Sequence, residues 1–376
     1  MSYKILHFSD LHLDASFAGQ GFPVEYGNAR RLDLRAALTR ILSKARELKV
    51  NAITIGGDLF VQSYLLPETA DFIQQQLALL APIRVIIAPG GQDPYTNESP
   101  YSRIDWPDNV DIFYQAKLSH LELAPDIHLW GACNPPARGQ KLLNDFQPAK
   151  GNNFILLHAL RGTGNSEIHN IDIDEIKKVG FRLALLGGEH LAEISSTEKP
   201  FLVYPGSPEP LSPGEEKGHH QIALIEVDGE NVNVQSLTLR QWFHHAIDVD
   251  ISTCISNAEA ALEIDAALKT ELTKTTNSAI TVILKGKPNF DLSISSIRQH
   301  IQIPAFFRLE DHFTLNHDLK QIALEQTVRG LLVQRFLARI KNTANESERQ
   351  QQLTALHFAL QAFDGKQVNL YETKEN

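Results

Sequence analysis

Asp10-Leu11-His12, Gly56-Gly57-Asp58, Pro89 to Tyr95, His158 and Gly187-Gly188-Glu189-His190 gather acids, imidazoles and glycines into short clusters. Carboxylate and imidazole together are a donor set for divalent first-row cations. In extended backbone, residues two apart share a face, so Asp10 and His12 can converge on one ion. Asp58 brings two oxygens, enough to touch two cations, and the glycines before it allow a tight turn. Taken singly, each cluster also reads as an ordinary turn or a satisfied histidine. Together they present Asp, His, Asp, His and His in chain order, each just after a stretch that reads as a strand.

The elements that must hold these residues follow from hydrophobic periodicity. Tyr3 to Phe8 reads as a strand, Ala36 to Leu48 as a helix and Ala52 to Ile55 as a strand. Pro67 to Leu80 reads as a helix and Arg84 to Ala88 as a strand. This alternation predicts an α/β domain with a largely parallel sheet, whose ligand sites gather at the carboxyl ends of strands. Further strands are expected at Ile127 to Ala132, Asn153 to Leu157, Leu183 to Leu186, Phe201 to Tyr204, Gln221 to Val227 and Val232 to Leu239. Asp228-Gly229 is a hairpin turn between the last two. From Phe243 the pattern restarts as a small α+β module, and Leu319 to Lys341 with Ser347 to Phe363 read as a helical hairpin.

Composition narrows the function classes. The 376 residues exceed one ordinary domain, and 43% apolar with 21% charged residues exclude wholesale disorder. A net charge of −10 with no basic block disfavours a protein that holds DNA by charge alone. Cys133 and Cys254, the two cysteines, form neither a disulfide framework nor a thiolate zinc site. No apolar run reaches membrane-spanning length, and the N-terminus lacks a signal-peptide pattern, so a cytoplasmic location is expected.

The motifs resemble those of calcineurin-like metallophosphoesterases. They are Ser9 to Asp14, Gly57-Asp58-Leu59-Phe60, Pro89 to Tyr95, His158, Gly187 to His190 and Tyr204-Pro205-Gly206-Ser207-Pro208-Glu209-Pro210. More narrowly they are similar to the SbcD- and YhaO-type DNA repair exonuclease branch, with the Tyr204 to Pro210 run among the most branch-specific pieces. The resemblance implies an α/β fold, a four-layer αββα sandwich over 1–245, followed by a small α+β cap domain over 246–315 and a C-terminal helical tail over 316–376. It implies a dinuclear centre, often manganese, with one ion held by Asp10, His12, Asp58 and His190. The second ion would take Asp58 and His158, but Gly91 and Gly188 stand where the family has Asn and His. Gln92 stands where the family has a histidine beside the scissile phosphate. Glutamine donates a hydrogen bond but does not change protonation near neutral pH.

By the same resemblance the partners are DNA, an SbcC-type SMC-like ATPase and a second copy in a homodimer, with no membrane contact. Two functions remain open. One is a metal-dependent DNA exonuclease subunit of reduced activity, with His158 and Gln92 near the phosphate. The other is a weakly catalytic or inactive structural subunit that keeps the fold and the partner surface. Gly91→Asn, Gln92→His and Gly188→His together are expected to raise activity. Arg30, Arg31 and Arg35 read as a solvated helix start in preference to a contact with a phosphate backbone, Glu215-Glu216-Lys217 as a loop, and His219, His220, His244 and His245 as surface or strand residues. Trp106, Trp130 and Trp242 read as packing residues.

Overall fold

Tyr3–Phe8, the first strand (β1), sends Ile5 into one apolar layer and Leu6 and Phe8 into another, the period-two alternation of a strand covered on both faces. The computed structural model describes residues 2–133, 142–143, 146–161, 170–171, 176, 178–195, 201–273, 277–286, 288, 290, 292–303, 305–311, 319–343 and 346–363. After β1 come α1 (Val24–Leu48), β2 (Ala52–Ile55), α2 (Pro67–Ala78), β3 (Arg84–Ile87), α3 (Pro100–Arg103) and β4 (Val110–Ile112). Next are β5 (Ser119–Ala124), β6 (Ile127–Gly131), β7 (Asn152–His158), β8 (Leu160–Arg161), β9 (Asn170–Ile171), β10 (Leu183–Gly187), β11 (Glu193–Ser195) and β12 (Phe201–Tyr204). β13 (Ile222–Asp228), β14 (Asn231–Leu237), β15 (Phe243–Asp250), β16 (Ser278–Lys285) and β17 (Phe306–Asp311) follow.

Two six-stranded sheets form the sandwich. The first runs β14-β13-β1-β2-β3-β4 and the second β11-β12-β10-β7-β6-β5. β1 to β4 are parallel, as are β6, β7, β10 and β12, while β13, β14, β5 and β11 pair antiparallel. Leu6, Phe8, Ile53, Ile55, Val85 and Ile87 pack under Leu34, Leu38, Ile41 and Leu42 of α1 and Ile73 and Leu77 of α2. Ile5, Ala52 and Ile86 face Phe154, Leu156, Leu183 and Leu185 between the sheets, and Ile155, Leu157, Ala184 and Leu186 point out to a further layer with Ile176 and Phe181. This layering agrees with the sandwich that the resemblance implies.

One polar group crosses the interlayer. His7, fully buried on β1, has Nε2 3.2 Å from Leu186 O of the second sheet, while Nδ1 accepts from the Thr54 hydroxyl at 3.0 Å. In the neutral ring the Leu186 carbonyl places the proton on Nε2, and burial holds the imidazole down at about 4 against the upward pull of the Leu186 and Thr54 carbonyls.

α1 begins twelve residues before the apolar periodicity does, because the charged residues that interrupt it are themselves buried or paired. Arg30 is fully buried, bonded to Asp33 at 2.6 Å and to Pro210 O at 2.7 Å, with its guanidinium 4.6 Å from the Trp242 ring centre. Arg35 bonds Asp14 and the Thr69 hydroxyl. At Arg30, though not at the partly exposed Arg31 and Arg35, the expected solvated helix start is a buried ionic joint.

The chain divides into two compact units: Met1–Ala246 with Glu271–Thr281 and Pro304–Arg308, and Ile247–Thr270 with Val282–Ile303 and Leu309–Asn376. The second contains the helices Asn257–Leu272 (in large part), Ile294–His300, Leu319–Ile322, Val328–Asn342 and Glu346–Phe363. The expected helix over Leu319 to Lys341 is broken, because the Thr327 hydroxyl accepts the Gly330 N–H and starts a new helix at Val328. Val333, Ile340, Leu356 and Leu360 make the packed seam of the last two helices, whereas Val328 and Leu331 are 73% and 49% exposed. Among the described residues no helix is long and apolar enough to cross a membrane.

Candidate metal centre

Five strand ends meet at one edge of the sandwich. β1, β2 and β3 of the first sheet deliver Asp10 and His12, Asp58, and the Gly90 to Asp93 turn, while β7 and β10 of the second deliver His158 and Gly188 to His190. The sheets touch here backbone to backbone. A Cβ on Gly56 would stand 3.0 Å from Gly187 N, and one on Gly187 would overlap Gly56 O, so only glycine permits the approach that brings donors of both sheets together.

The segments after β1 and β2 stay zipped beyond their strands. Asp10 N–H donates to Gly57 O at 3.0 Å, His12 N–H to Asp58 O at 2.9 Å and Leu13 N–H to Leu59 O at 2.9 Å. Asp10 and His12 are not extended, as the spacing alone suggested. They have φ of 55° and 50°, and Asp58 has 51°. Each such residue costs about 1 to 3 kcal/mol and persists where its surroundings fix it. The left-handed turns bury Leu11 and Leu13 while leaving Asp10 and His12 to face the second sheet.

Two groups of donors result: Asp10, His12 and His190, and Asp10, Asp58 and His158, each with donor atoms within 4.8 Å of one another. Asp58 Oδ2 lies 3.6 Å from Nε2 of both His12 and His158, and His12 Nε2 lies 3.1 Å from His190 Nε2. Asp58 therefore sits between the imidazoles, while Asp10 is common to both groups, a sharing that the sequence reading gave to Asp58 alone. Donors around one cation at about 2.0 to 2.2 Å lie no more than about 4.4 Å apart, so adjustments of about 0.4 Å suffice. The residues fit a divalent metal.

Hydrogen bonds fix the orientations. His158 Nδ1–H donates to Gly56 O at 2.9 Å, which leaves Nε2 to face Asp58. Asp10 accepts from Gly188 N–H at 3.0 Å, and Asp58 Oδ1 from Gln92 N–H at 2.7 Å. Burial raises the Asp10 carboxyl to about 6 and lowers His12 to about 4. For His158 burial pulls downward, but Asp58 and Asp10 outweigh it and the net shift is upward.

The second position is weaker on one side. Nothing lies within 4 Å of a Cβ placed on Gly91, whereas Gly188 has φ of +107° and its Cβ would lie 3.4 Å from His158 Nε2. A histidine at 188 would therefore be strained, unlike an asparagine at 91. Gln92 is exposed at the rim. Asp93 does not supply a replacement ligand. Its Oδ1 accepts from Asp58 N–H at 2.9 Å and Gly90 N–H at 2.6 Å, and its Oδ2 from Leu59 N–H at 2.8 Å and the Tyr101 hydroxyl at 2.6 Å. Burial, then the Asp58 charge, push its carboxyl upward. Asp93 is the post on which the Asp58 loop is hung.

Glu215 is the residue that sequence reading passed over. It ends a short 3-10 turn, Pro213–Glu215, and its Oε1 lies 3.1 Å from His190 Nδ1. Burial raises its carboxyl, but the His190 and Leu211 hydrogen bonds outweigh that and the net shift is downward. His220 is buried rather than at the surface, and His244 is a buried residue of the strand β15, 2.8 Å from the Tyr26 hydroxyl.

A family model described as calcineurin-like phosphoesterase matches residues 3–192. The chain is 25% identical over 260 residues to YhaO of Bacillus subtilis (strain 168), described as an uncharacterized metallophosphoesterase. That match takes in 65% of this chain and 62% of the relative, less than two thirds of its length. Among solved structures, TT1561 of Thermus thermophilus is similar at 15% identity and a TM-score of 0.39, covering 63% of this chain and 99% of that one. A dimetal phosphatase from Danio rerio is similar at 9% identity and a TM-score of 0.42, covering 62% and 95%.

Proposed function

Because the chain belongs to the calcineurin-like phosphoesterase family, we propose that it hydrolyses phosphodiesters of DNA with a divalent cation, Mn2+ by preference, held by Asp10, His12, Asp58 and His190. The observation that carries the reading is the convergence of these donors and His158 from four strand ends, with Asp58 between His12 and His158. A cation bound there acidifies water and draws charge from the phosphoryl oxygens. The chain's own groups supply the rest. His158, pinned by Gly56 O, turns Nε2 toward Asp58 and is held ready beside the donor cluster. Gln92, anchored through its backbone to Asp58 Oδ1, offers an amide donor at the rim but no proton. General acid help is commonly worth about 100- to 10,000-fold, so a reduced rate follows.

DNA as substrate and an SbcC-type SMC-like ATPase as partner are supported by the branch-specific run Tyr204 to Pro210 and by apolar side chains left exposed on the helix Val328–Asn342. A net charge of −10 suits a subunit that draws DNA affinity from its partner. A second reading is favoured by Gly91, Gln92 and Gly188, which empty one side of the centre: a structural subunit with little catalysis of its own.

Divalent-metal titration with elemental analysis, read beside cleavage of linear DNA and of bis(4-nitrophenyl) phosphate, separates the two. The enzyme reading expects metal-dependent hydrolysis that Asp58→Ala abolishes. Hydrolysis absent under every divalent metal, with ATPase-subunit binding intact, would establish the structural reading.

A further inference from the structure

The run Tyr204 to Pro210 contributes to neither donor group, yet it is built against one of the donors. Gly206 has φ of +77°, and a Cβ there would lie 2.7 Å from His190 O and 2.8 Å from Ala192 N. Ser207 N–H donates to that same His190 oxygen at 2.9 Å. The chain then leaves through Glu209, whose carboxylate accepts from Gln241 N–H at 3.0 Å, Trp242 N–H at 3.1 Å and Arg40 at 2.6 Å. Past Leu211 it turns back, and Glu215 faces the His190 ring. One Glu215 oxygen meets His190 Nδ1 at 3.1 Å and the other accepts from Leu211 N–H at 2.9 Å. His220 closes the loop, with Nδ1 2.8 Å from Ser207 O and Nε2 2.9 Å from Glu215 O.

We infer that Glu215 is the positioning residue for His190: its carboxylate accepts a hydrogen bond from Nδ1–H, fixes that tautomer and leaves Nε2 as a lone pair aimed at the Asp10–His12 cluster. A neutral imidazole has one N–H and one lone pair, so a carboxylate on one nitrogen decides what the other can do. His190 backbone and side chain are thereby gripped by one segment, the backbone by Ser207 and the ring by Glu215. This explains why a glycine-turn motif without a ligand of its own belongs to the centre. The inference rests on the metal reading of the site, and outer partners of this kind change metal affinity by about 10- to 100-fold.

The test has a readout that needs no metal and no turnover. Long-range proton–nitrogen spectra of histidine-labelled apo-protein at pH 8.5, with His190 assigned by its loss in His190→Gln, are expected to show the Nδ1–H tautomer. In Glu215→Gln, which keeps the volume, and in Glu215→Ala, that preference weakens, and calorimetric affinity for Zn2+ and Mn2+ falls about 10- to 100-fold. An Nε2–H tautomer in the wild type overturns the inference. So does unchanged affinity in either folded variant. Should Glu215→Ala not fold, the wild-type spectrum and Glu215→Gln decide. A wild type that binds no divalent metal overturns the metal reading itself, whereas metal binding that ignores residue 215 overturns only the inference.

Discussion

Rebuilding the depleted side of the centre should succeed at one glycine and fail at the other. Gly91 has ordinary backbone and nothing within 4 Å of a new Cβ, so Gly91→Asn meets no steric cost. Gly188 has φ of +107°, where a side chain costs about 1 to 3 kcal/mol, although its Cβ would meet His158 Nε2 only at contact distance, 3.4 Å. At about 2 to 4 °C per kcal/mol for a unit of this size, Gly188→His should lower the melting temperature by about 2 to 12 °C. Gly91→Asn should leave it within about 2 °C. Paired with Gln92→His, which restores a group able to hand over a proton, Gly91→Asn should raise kcat on bis(4-nitrophenyl) phosphate at least about 10-fold. It should also raise bound Mn2+ per chain, measured by elemental analysis after desalting. Adding Gly188→His should cost stability without a further rate gain. A folded Gly91→Asn/Gln92→His protein with unchanged rate and metal content would refute the account of the defect, and a Gly188→His protein as stable as the wild type would refute the backbone argument.

Two further outcomes follow from buried polar groups. Asp93→Asn puts an amide N–H2 where a carboxylate oxygen now accepts two donors, leaving buried donors unpaired; urea unfolding should show a loss of about 2 to 5 kcal/mol, and divalent-metal affinity should fall with it. His7 is held at about 4 when folded, against about 6.5 unfolded, so below pH 6.5 the unfolded chain takes the proton first and stability is lost as pH falls toward 4. The loss from this group reaches about 3 kcal/mol, and the difference in unfolding free energy between wild type and His7→Gln should shrink across that range. A pH-independent difference would mean that His7 is not held neutral between the sheets.

The order of strands and helices, and the positions just after strands where ligands gather, were legible in local pattern. Tyr3–Phe8, Ala52–Ile55 and Phe201–Tyr204 lie where periodicity puts them, because strands covered on both faces write their burial into consecutive apolar residues. β4 and β5 were not legible. Val110–Ile112 is short and only half-buried, and Ser119–Ala124 carries exposed His120 and Glu122 at an outer edge, where little apolar burial is demanded. The start of α1 was hidden for the opposite reason: Arg30 and Asp33 look like surface charges until Trp242, Pro210 and Arg40 close around them.

At the centre, residue types and their order fixed which donors exist, since carboxylates, imidazoles and glycines after strands need no neighbour to be recognised. Which donors share an ion depended on the approach of two sheets through Gly56 and Gly187, and on left-handed turns at Asp10, His12 and Asp58. The work of Asp93 and Glu215 likewise depended on what lies 35 and 25 residues away along the chain. A side chain's chemistry is local to its residue, but its hydrogen-bond partners are set by tertiary contact, and only the folded chain assigns them.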